Sequence, residues 1–303
     1  MQLKIKTQSL HIKFLIVFYI HKMKSDSIVV LGSLHYDIYI QSKSIPKIGE
    51  TVLADNWFPK LGGKGANQAV ALRKEFKNVK FISAIGDDIF SEFLLKKLNE
   101  HKVSADYISK IKGDSGVSVA ISNEAGDYSA VVVSGVNTKI PEKFLCDSKL
   151  WEGVSSLMIQ NEISEEINAL AAQEAKKRSI TVFLNAAPAK NIENLIKFVD
   201  ILLVNEIEAQ QISNDYSNSF DSIAKKLSKK ISKVIITLGS KGVIACEKNR
   251  TPIHIQGHHV DVKSAHGAGD YFAAKFILEF LKNNTFENAI SVANKKTAEF
   301  ISA

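Results

Sequence analysis

From Ile28 onward, short β-branched runs alternate with stretches whose apolar residues recur at helical spacing. Ile28–Leu31 (IVVL) stops at Gly32 and predicts a buried first strand. Val79–Ile85 predicts a second strand, and Asp87–His101 behind it repeats its apolar positions near every 3.6 residues. The alternation continues with strand Ser155–Ile159, helix Ser164–Lys177, strand Ile180–Leu184 and helix Ile192–Val199. Strand Ile201–Val204, helices Glu206–Ile212 and Ser222–Ser232, and strand Val234–Leu238 complete it. Strands apolar along their whole length, separated by helices, predict an α/β fold with a central, mostly parallel sheet and helices on both faces. Ligands of such sheets sit beyond the carboxyl ends of the strands.

Two segments break the rhythm. Tyr36–Phe58 predicts strand, turn, strand, with Ile38 and Ile40 alternating and Pro46 and Gly49 between. Val117–Val133 predicts a hairpin around Glu124-Ala-Gly-Asp127. Antiparallel pieces inserted into a parallel architecture suit a small β lid, here near 36–58 and 117–133. No repeat or low-complexity linker divides 27–303, so one domain carrying a lid is expected there. Residues 1–26 stand apart. Phe14–Ile20 (FLIVFYI) is apolar but shorter than the roughly 20 residues that span a bilayer. No small-x-small cleavage site follows it, and a second methionine, Met23, precedes the first strand. The expectation is a disordered extension or an early-assigned start, with a membrane anchor as the alternative.

Composition narrows the partners. The 303 residues are 45% hydrophobic and 23% charged, ordinary for a folded globular chain. A formal charge of +7 suits an anionic ligand such as a nucleotide, and equally nucleic acid or an acidic membrane surface. Lysines and arginines follow helix-surface patterns such as Lys225–Lys230 rather than interleaving with aromatics, which argues against nucleic acid. Cys146 and Cys246 lie far apart, in no metal-like spacing, and are expected to be small core residues in a reducing cytoplasm. His254, His258 and His259 have only Asp261 as a nearby carboxylate, so a surface strand and turn is expected there rather than a metal site.

Two glycine-rich segments carry the candidate chemistry. Leu61-Gly-Gly-Lys-Gly-Ala-Asn-Gln-Ala-Val-Ala71 permits close backbone approach at Gly62, Gly63 and Gly65 and leads into a helix at about Asn67. Helix N-termini present free amides that favour oxygen-rich or anionic ligands, with Lys64 at hand as a charge. Without the G-x-x-x-x-G-K-[ST] spacing it is no Walker A loop, and glycine content alone also allows a plain turn with a solvated lysine. The second segment is Gly267-Ala-Gly-Asp270, followed by the apolar helix Tyr271–Leu281. Its amides, at a helix start, suit the negative charge of a transferring phosphoryl group. Asp270 suits a base that takes the proton of an attacking sugar hydroxyl. Helix capping is the competing role for an aspartate there.

Together, Gly62-Gly-Lys-Gly-Ala-Asn-Gln68 and Gly267-Ala-Gly-Asp270 resemble the two motifs of ribokinase and its relatives, the phosphofructokinase-B-type carbohydrate kinases. Five further segments resemble family counterparts in order along the chain: Gly32-Ser-Leu-His-Tyr-Asp37, Leu157-Met-Ile-Gln-Asn-Glu162, Leu184-Asn-Ala-Ala-Pro-Ala189, Asn205-Glu-Ile-Glu208 and Thr237-Leu-Gly-Ser-Lys-Gly242. The resemblance implies an ATP-dependent phosphotransferase acting on the hydroxymethyl group of a small sugar, D-ribose foremost. It makes Asp270 the catalytic base and Gly267, Ala268 and Gly269 the anion hole. His35, Asp37, Gly62, Gly63, Lys64, Asn67 and Glu162 would surround the sugar hydroxyls. Asn205 and Glu208 would act near the phosphates and Mg²⁺. Thr237, Gly239, Ser240, Lys241, Gly242 and Asn294 would line the ATP pocket. Lid closure would follow sugar binding and exclude water before transfer. Relatives often dimerise through lid strands, so a homodimer is implied too.

The chain departs from the family pattern at three places. Where the family begins the anion-hole stretch with Asp-Thr, this sequence has Ser264-Ala265, and a neutral serine offers a cation far less field than a carboxylate. The chain ends at Ala303, where relatives continue through a loop of the same potassium site, so weak or absent K⁺ activation is expected. His35 stands where ribokinases proper usually carry Asn. A nucleoside or other furanosyl compound is therefore the alternative substrate, and a non-catalytic sugar-binding relative the alternative of another class. His266, just before the anion hole, is expected on a solvent-facing loop, with a position beside ATP as the alternative.

Overall fold

The computed structural model describes residues 27–123, 128–282 and 284–303. The extension expected over 1–26, and the turn expected at Glu124–Asp127, lie outside the described residues. In chain order the strands are β1 (Ser27–Leu31), β2 (His35–Ser42), β3 (Ala54–Gly62), β4 (Val79–Ile85), β5 (Ile108–Lys110), β6 (Gly116–Ser122) and β7 (Tyr128–Val133). They continue as β8 (Val154–Gln160), β9 (Thr181–Asn185), β10 (Ile201–Asn205), β11 (Lys233–Thr237), β12 (Gly242–Glu247) and β13 (Ile253–Gln256). The main helices are α1 (Lys64–Arg73), α2 (Ser91–Glu100), α3 (Glu165–Lys177), α4 (Glu206–Ser213), α5 (Phe220–Ser228), α6 (Ala268–Leu281) and α7 (Phe286–Ser302).

Nine strands form one sheet in the order β13-β12-β11-β10-β9-β8-β1-β4-β5, parallel from β11 to β5 and antiparallel at β12 and β13. The continuous apolar runs follow from burial on both faces. Val29 and Leu31 enter one core with Ile167 and Ala171 of α3 and Ile223 of α5. Ile28 and Val30 enter the other, with Leu72 of α1, Leu94 of α2, Phe276 of α6 and Ile290 of α7. Each such fully buried side chain stabilises the fold by roughly 1.5–3 kcal/mol, so the layers are held by apolar burial rather than by the surface ion pairs.

A second sheet, ordered β3-β2-β6-β7, arises from the two segments that broke the rhythm. β2 pairs antiparallel with β3 and parallel with β6, while β6 and β7 form a hairpin. In this register Asp37 faces Lys60, Tyr39 faces Phe58, and Asp37 also adjoins Ser118. The period of two puts Asp37, Tyr39 and Gln41 on one face of β2. That face looks onto the strand ends of the large sheet.

Several elements differ from the sequence expectation. α2 begins at Ser91 rather than Asp87, because the Asp88 carboxylate accepts hydrogen bonds from Ser115 and fixes a turn first. The helix expected over Ile192–Val199 is one short piece, Glu193–Ile196. Cys246 is buried as expected. Cys146 is exposed, at the end of a single helical turn, Lys143–Cys146, that buries Leu145 instead.

Candidate functional site

A cavity of about 840 Å³ lies between the inner face of the second sheet, the strand ends of the first and the start of α6. The start of β2, Glu162 just beyond β8, the ends of β9 and β10 and Thr237 of β11 all contribute to it, the place expected for a parallel sheet.

On one side, α1 begins at Lys64, three residues before the expected Asn67, because Gly63 rather than a side chain caps it. Gly63 has φ of 88°, and a Cβ there would stand 2.8 Å from the Ser33 carbonyl oxygen. Only glycine fits this entry into the helix. The freed Lys64 amide donates to Glu162 Oε2 at 2.9 Å, and Ser33 Oγ donates to the same oxygen at 2.5 Å. Glu162 thus complements the positive end of α1 while it lines the cavity.

Asp37 is buried, and its Oδ1 accepts from Ser118 Oγ at 2.5 Å. Burial pushes its carboxyl up to about 6; Ser118 and Lys60 oppose that rise and Glu162 adds to it. His35, 2% exposed, is held below its ordinary value by burial, with Glu162 pulling up and Lys64 pushing down. Among the described residues its Nε2 has no hydrogen-bond partner. Gly62 does not line the cavity; it packs behind the Asp37 carboxylate.

Asp270 lies opposite. α6 begins at Ala268, earlier than the expected Tyr271, and Gly267 is its cap, with φ of 73°. Asp270 is therefore the third helical residue and caps nothing. Its Oδ2 accepts from Asn67 Nδ2 at 3.1 Å, and its Oδ1 from Gln68 Nε2 at 2.9 Å. Gln68 Oε1 in turn accepts from Gln160 Nε2 at 2.5 Å. Burial raises the Asp270 pKa; Lys64 and Asn67 oppose it, Glu162 adds to it, and Gln68 opposes it. A buried carboxylate of raised pKa, fixed in orientation by two amides, is equipped to take a proton from a bound hydroxyl. Gly267, Ala268 and Gly269 line the cavity beside it, and in this state the Ala268 amide donates to the Ala265 carbonyl at 3.2 Å.

On the far side, Asn205 and Glu208 form a reciprocal capping box at the start of α4. Burial raises the Glu208 pKa, while its hydrogen bond from the Asn205 amide lowers it. Asn205, Glu208 and Thr237 line the cavity. Gly239, Ser240, Lys241, Gly242 and Asn294 do not. Gly239–Lys241 is a short turn with Lys241 reaching toward Glu206, and Asn294 Nδ2 donates to the Gln256 carbonyl at 2.8 Å. Ser264, exposed at the rim, accepts from the His266 amide at 3.4 Å. His266 is not on a solvent-facing loop. It is half-buried in the cavity wall, edge-on to Tyr39 at 6.1 Å, and burial with Lys60 and Lys64 lowers its pKa.

Sequence reasoning assigned no role to Gln68, Gln160, Ser33, Ser118 or Lys60. Gln68, Ser33 and Gln160 lay inside quoted motifs, and Lys60 shares the alternation of β3 with Phe58. What they do depends on contacts up to 129 residues away, which no local pattern displays. Among the described residues no group of three or more His, Cys, Asp or Glu is arranged to hold a metal, and no helix is long and apolar enough to cross a membrane.

Residues 25–302 match the model of the pfkB family carbohydrate kinases. A ribokinase of Lactococcus lactis is 31% identical over 269 residues, covering 87% of each chain. A ribokinase of Haemophilus influenzae is 32% identical over 271 residues, covering 87% of this chain and 88% of its own. The solved structure of Arabidopsis thaliana ribokinase complexed with ribose and ATP superposes with a TM-score of 0.81 at 26% identity, over 91% of this chain and 93% of that one.

Proposed function

The chain belongs to the pfkB family of carbohydrate kinases, phosphotransferases with an alcohol acceptor, and from that premise we propose that it transfers the γ-phosphate of ATP to the hydroxymethyl oxygen of D-ribose. The observation that carries this reading is Asp270, buried and held by Asn67 and Gln68 beside the glycine-rich start of α6. The sugar lies between Asp37 and Glu162, whose carboxylates accept from its vicinal hydroxyls, with Asn67, Lys64, Gly63 and His35 completing the pocket. Its hydroxymethyl oxygen attacks the γ-phosphorus. The new O–P bond forms as the bond to the bridging oxygen breaks, the electron pair leaves with ADP, and the hydroxyl proton passes to Asp270. Amides of Gly267, Ala268 and Gly269 stabilise the charge on the transferring group, once the Ala268–Ala265 contact opens. The second sheet acts as the lid that excludes water.

Asn205, Glu208 and Thr237 serve the phosphates, and Gly239–Gly242 with Asn294 the adenosine beyond them. For Mg²⁺, the Glu208 carboxylate and the Asn205 amide oxygen are hard donors of the right kind. They are few, as suits an ion that draws most ligands from phosphates and water. When bound, Mg²⁺ neutralises phosphate charge. The surroundings of Ser264 do not fit a potassium site, since a neutral, exposed hydroxyl stands where the family pattern has a carboxylate.

Exposed Trp57, Val131 and Val133 on the lid support a homodimer through its strands, which a single monomeric peak in sizing would discard. The reading places the enzyme in the cytoplasm, with ATP. His35, a ring where an amide is usual, favours a nucleoside or other furanosyl compound as the second reading. Coupled ADP-release assays across pentoses, ketohexoses and nucleosides decide between them. Ribose turnover above the rest supports the first, nucleoside turnover the second, and sugar binding without any turnover identifies a non-catalytic relative.

A further inference from the structure

Lys60 is the one lysine brought to the cavity by the lid strands. The β2–β3 register sets it opposite Asp37 and sets Phe58 opposite Tyr39, and all four line the cavity. Its Nζ lies 4.2 Å from the Tyr39 ring centroid and 4.8 Å from that of Phe58. Among the described residues it has no hydrogen-bond or ion-pair partner, although the cavity is rich in carboxylates.

The seat of this ammonium adjoins the phosphoryl-transfer segment. The Tyr39 ring beneath it meets the edge of His266, which immediately precedes Gly267. Lys60 from the lid and Lys64 from α1 both bear on His266 and disfavour its cationic form. Three nitrogenous side chains from three elements therefore line the cavity together with the residues that start α6. A cation resting on aromatic faces is held more weakly than one hydrogen-bonded to a phosphate oxygen. An arriving phosphate thus outcompetes the aromatic seat. The neutral hydroxyls of a sugar, already served by Asp37 and Glu162, do not.

We propose that Lys60 is a phosphate contact carried by the lid, whose ammonium leaves the Tyr39–Phe58 seat on closure and donates to a non-bridging oxygen of the γ-phosphoryl group in transfer. The proposal rests on the kinase reading above. Lys60 stays protonated throughout, while the hydroxyl proton goes to Asp270 and the electron pair of the broken P–O bond to ADP. Its charge is delivered only when the lid is shut, so transfer to water in the open state lacks it.

The test uses the full chain with Lys60→Met, which keeps the apolar stem, and Lys60→Arg, which keeps the charge. In the presence of D-ribose, binding of ADP and of a non-hydrolysable ATP analogue is measured by calorimetry, and D-ribose binding is measured alone. In K60M the analogue is expected to bind about tenfold more weakly while ADP and ribose stay within about twofold, and kcat falls about 10- to 100-fold, less than the roughly 10²–10³ for loss of a preorganised donor because Lys60 must first leave its seat. K60R recovers most of both. Equal affinity of K60M and wild type for the analogue overturns the proposal. So does a loss confined to the sugar, which would assign Lys60 to the sugar pocket instead. A wild-type chain that phosphorylates no sugar defeats the kinase reading, whereas the analogue-against-ADP comparison still decides the role of Lys60.

Discussion

Gln68→Met tests the buried amide chain that sets the state of Asp270. Gln68 is fully buried and donates to Asp270 Oδ1 at 2.9 Å, a bond made to the ionised carboxylate. Such a charge-assisted bond contributes about 1.5–3 kcal/mol. Removing it disfavours the ionised form and so raises the Asp270 pKa further, in the direction in which burial already moves it. Asp270 works ionised, so activity is lost as pH falls through its pKa. The acid limb of the kcat profile therefore moves to higher pH in the variant. Methionine fills the side-chain volume but leaves Gln160 Nε2 without its acceptor, at a stability cost of about 1–3 kcal/mol. A thermal melt must show the variant folded at the assay temperature. The measurement is kcat against pH for both proteins under saturating ATP and ribose. An acid limb that stays in place, with kcat lowered equally at every pH, would refute the claim that Gln68 tunes Asp270.

Asp37→Asn trades binding for stability. The folded pKa of Asp37 is about 6 against an unfolded value near 3.9, so the native state binds the extra proton between them, and stability falls as pH rises through that window. The loss approaches about 3 kcal/mol above pH 6, and urea titrations should show D37N free of it while ribose affinity drops; parallel pH curves would contradict this. Rates in potassium and in a large inert cation should be equal, because Ser264 supplies no carboxylate; a strong potassium requirement would sink that expectation. His35→Asn should shift the ratio of pentose to nucleoside turnover severalfold, whereas an unchanged ratio makes His35 a neutral substitution.

The large sheet was legible in the sequence because β1, β4 and β8 to β11 are buried on both faces and so read as unbroken apolar runs. The second sheet showed through its alternation and turn residues. Helix starts were less legible: α1 and α6 both begin at glycine caps, which carry no side-chain signal, so the text of the chain suggested later starts. That error matters at Asp270, since a cap and a third helical residue differ in what the carboxylate is free to accept. Asp270, Asn67 and Glu162 were legible through motif resemblance. The Gln160–Gln68–Asp270 chain was not, because its links join residues 92 and 202 positions apart. Lys60 and His266 were hidden for another reason: period alone gives the face of a strand but not what that face opposes.

The most direct measurement compares ATP consumption with D-ribose by the wild-type chain and by Asp270→Asn. Asparagine keeps the size of the side chain and one of the two acceptors now used by Asn67 and Gln68, but it cannot take the proton. Turnover that requires ribose and falls by about 10²–10⁴-fold in D270N is the predicted result. Ribose-dependent turnover at undiminished rate in D270N would contradict the assignment of Asp270 as the base.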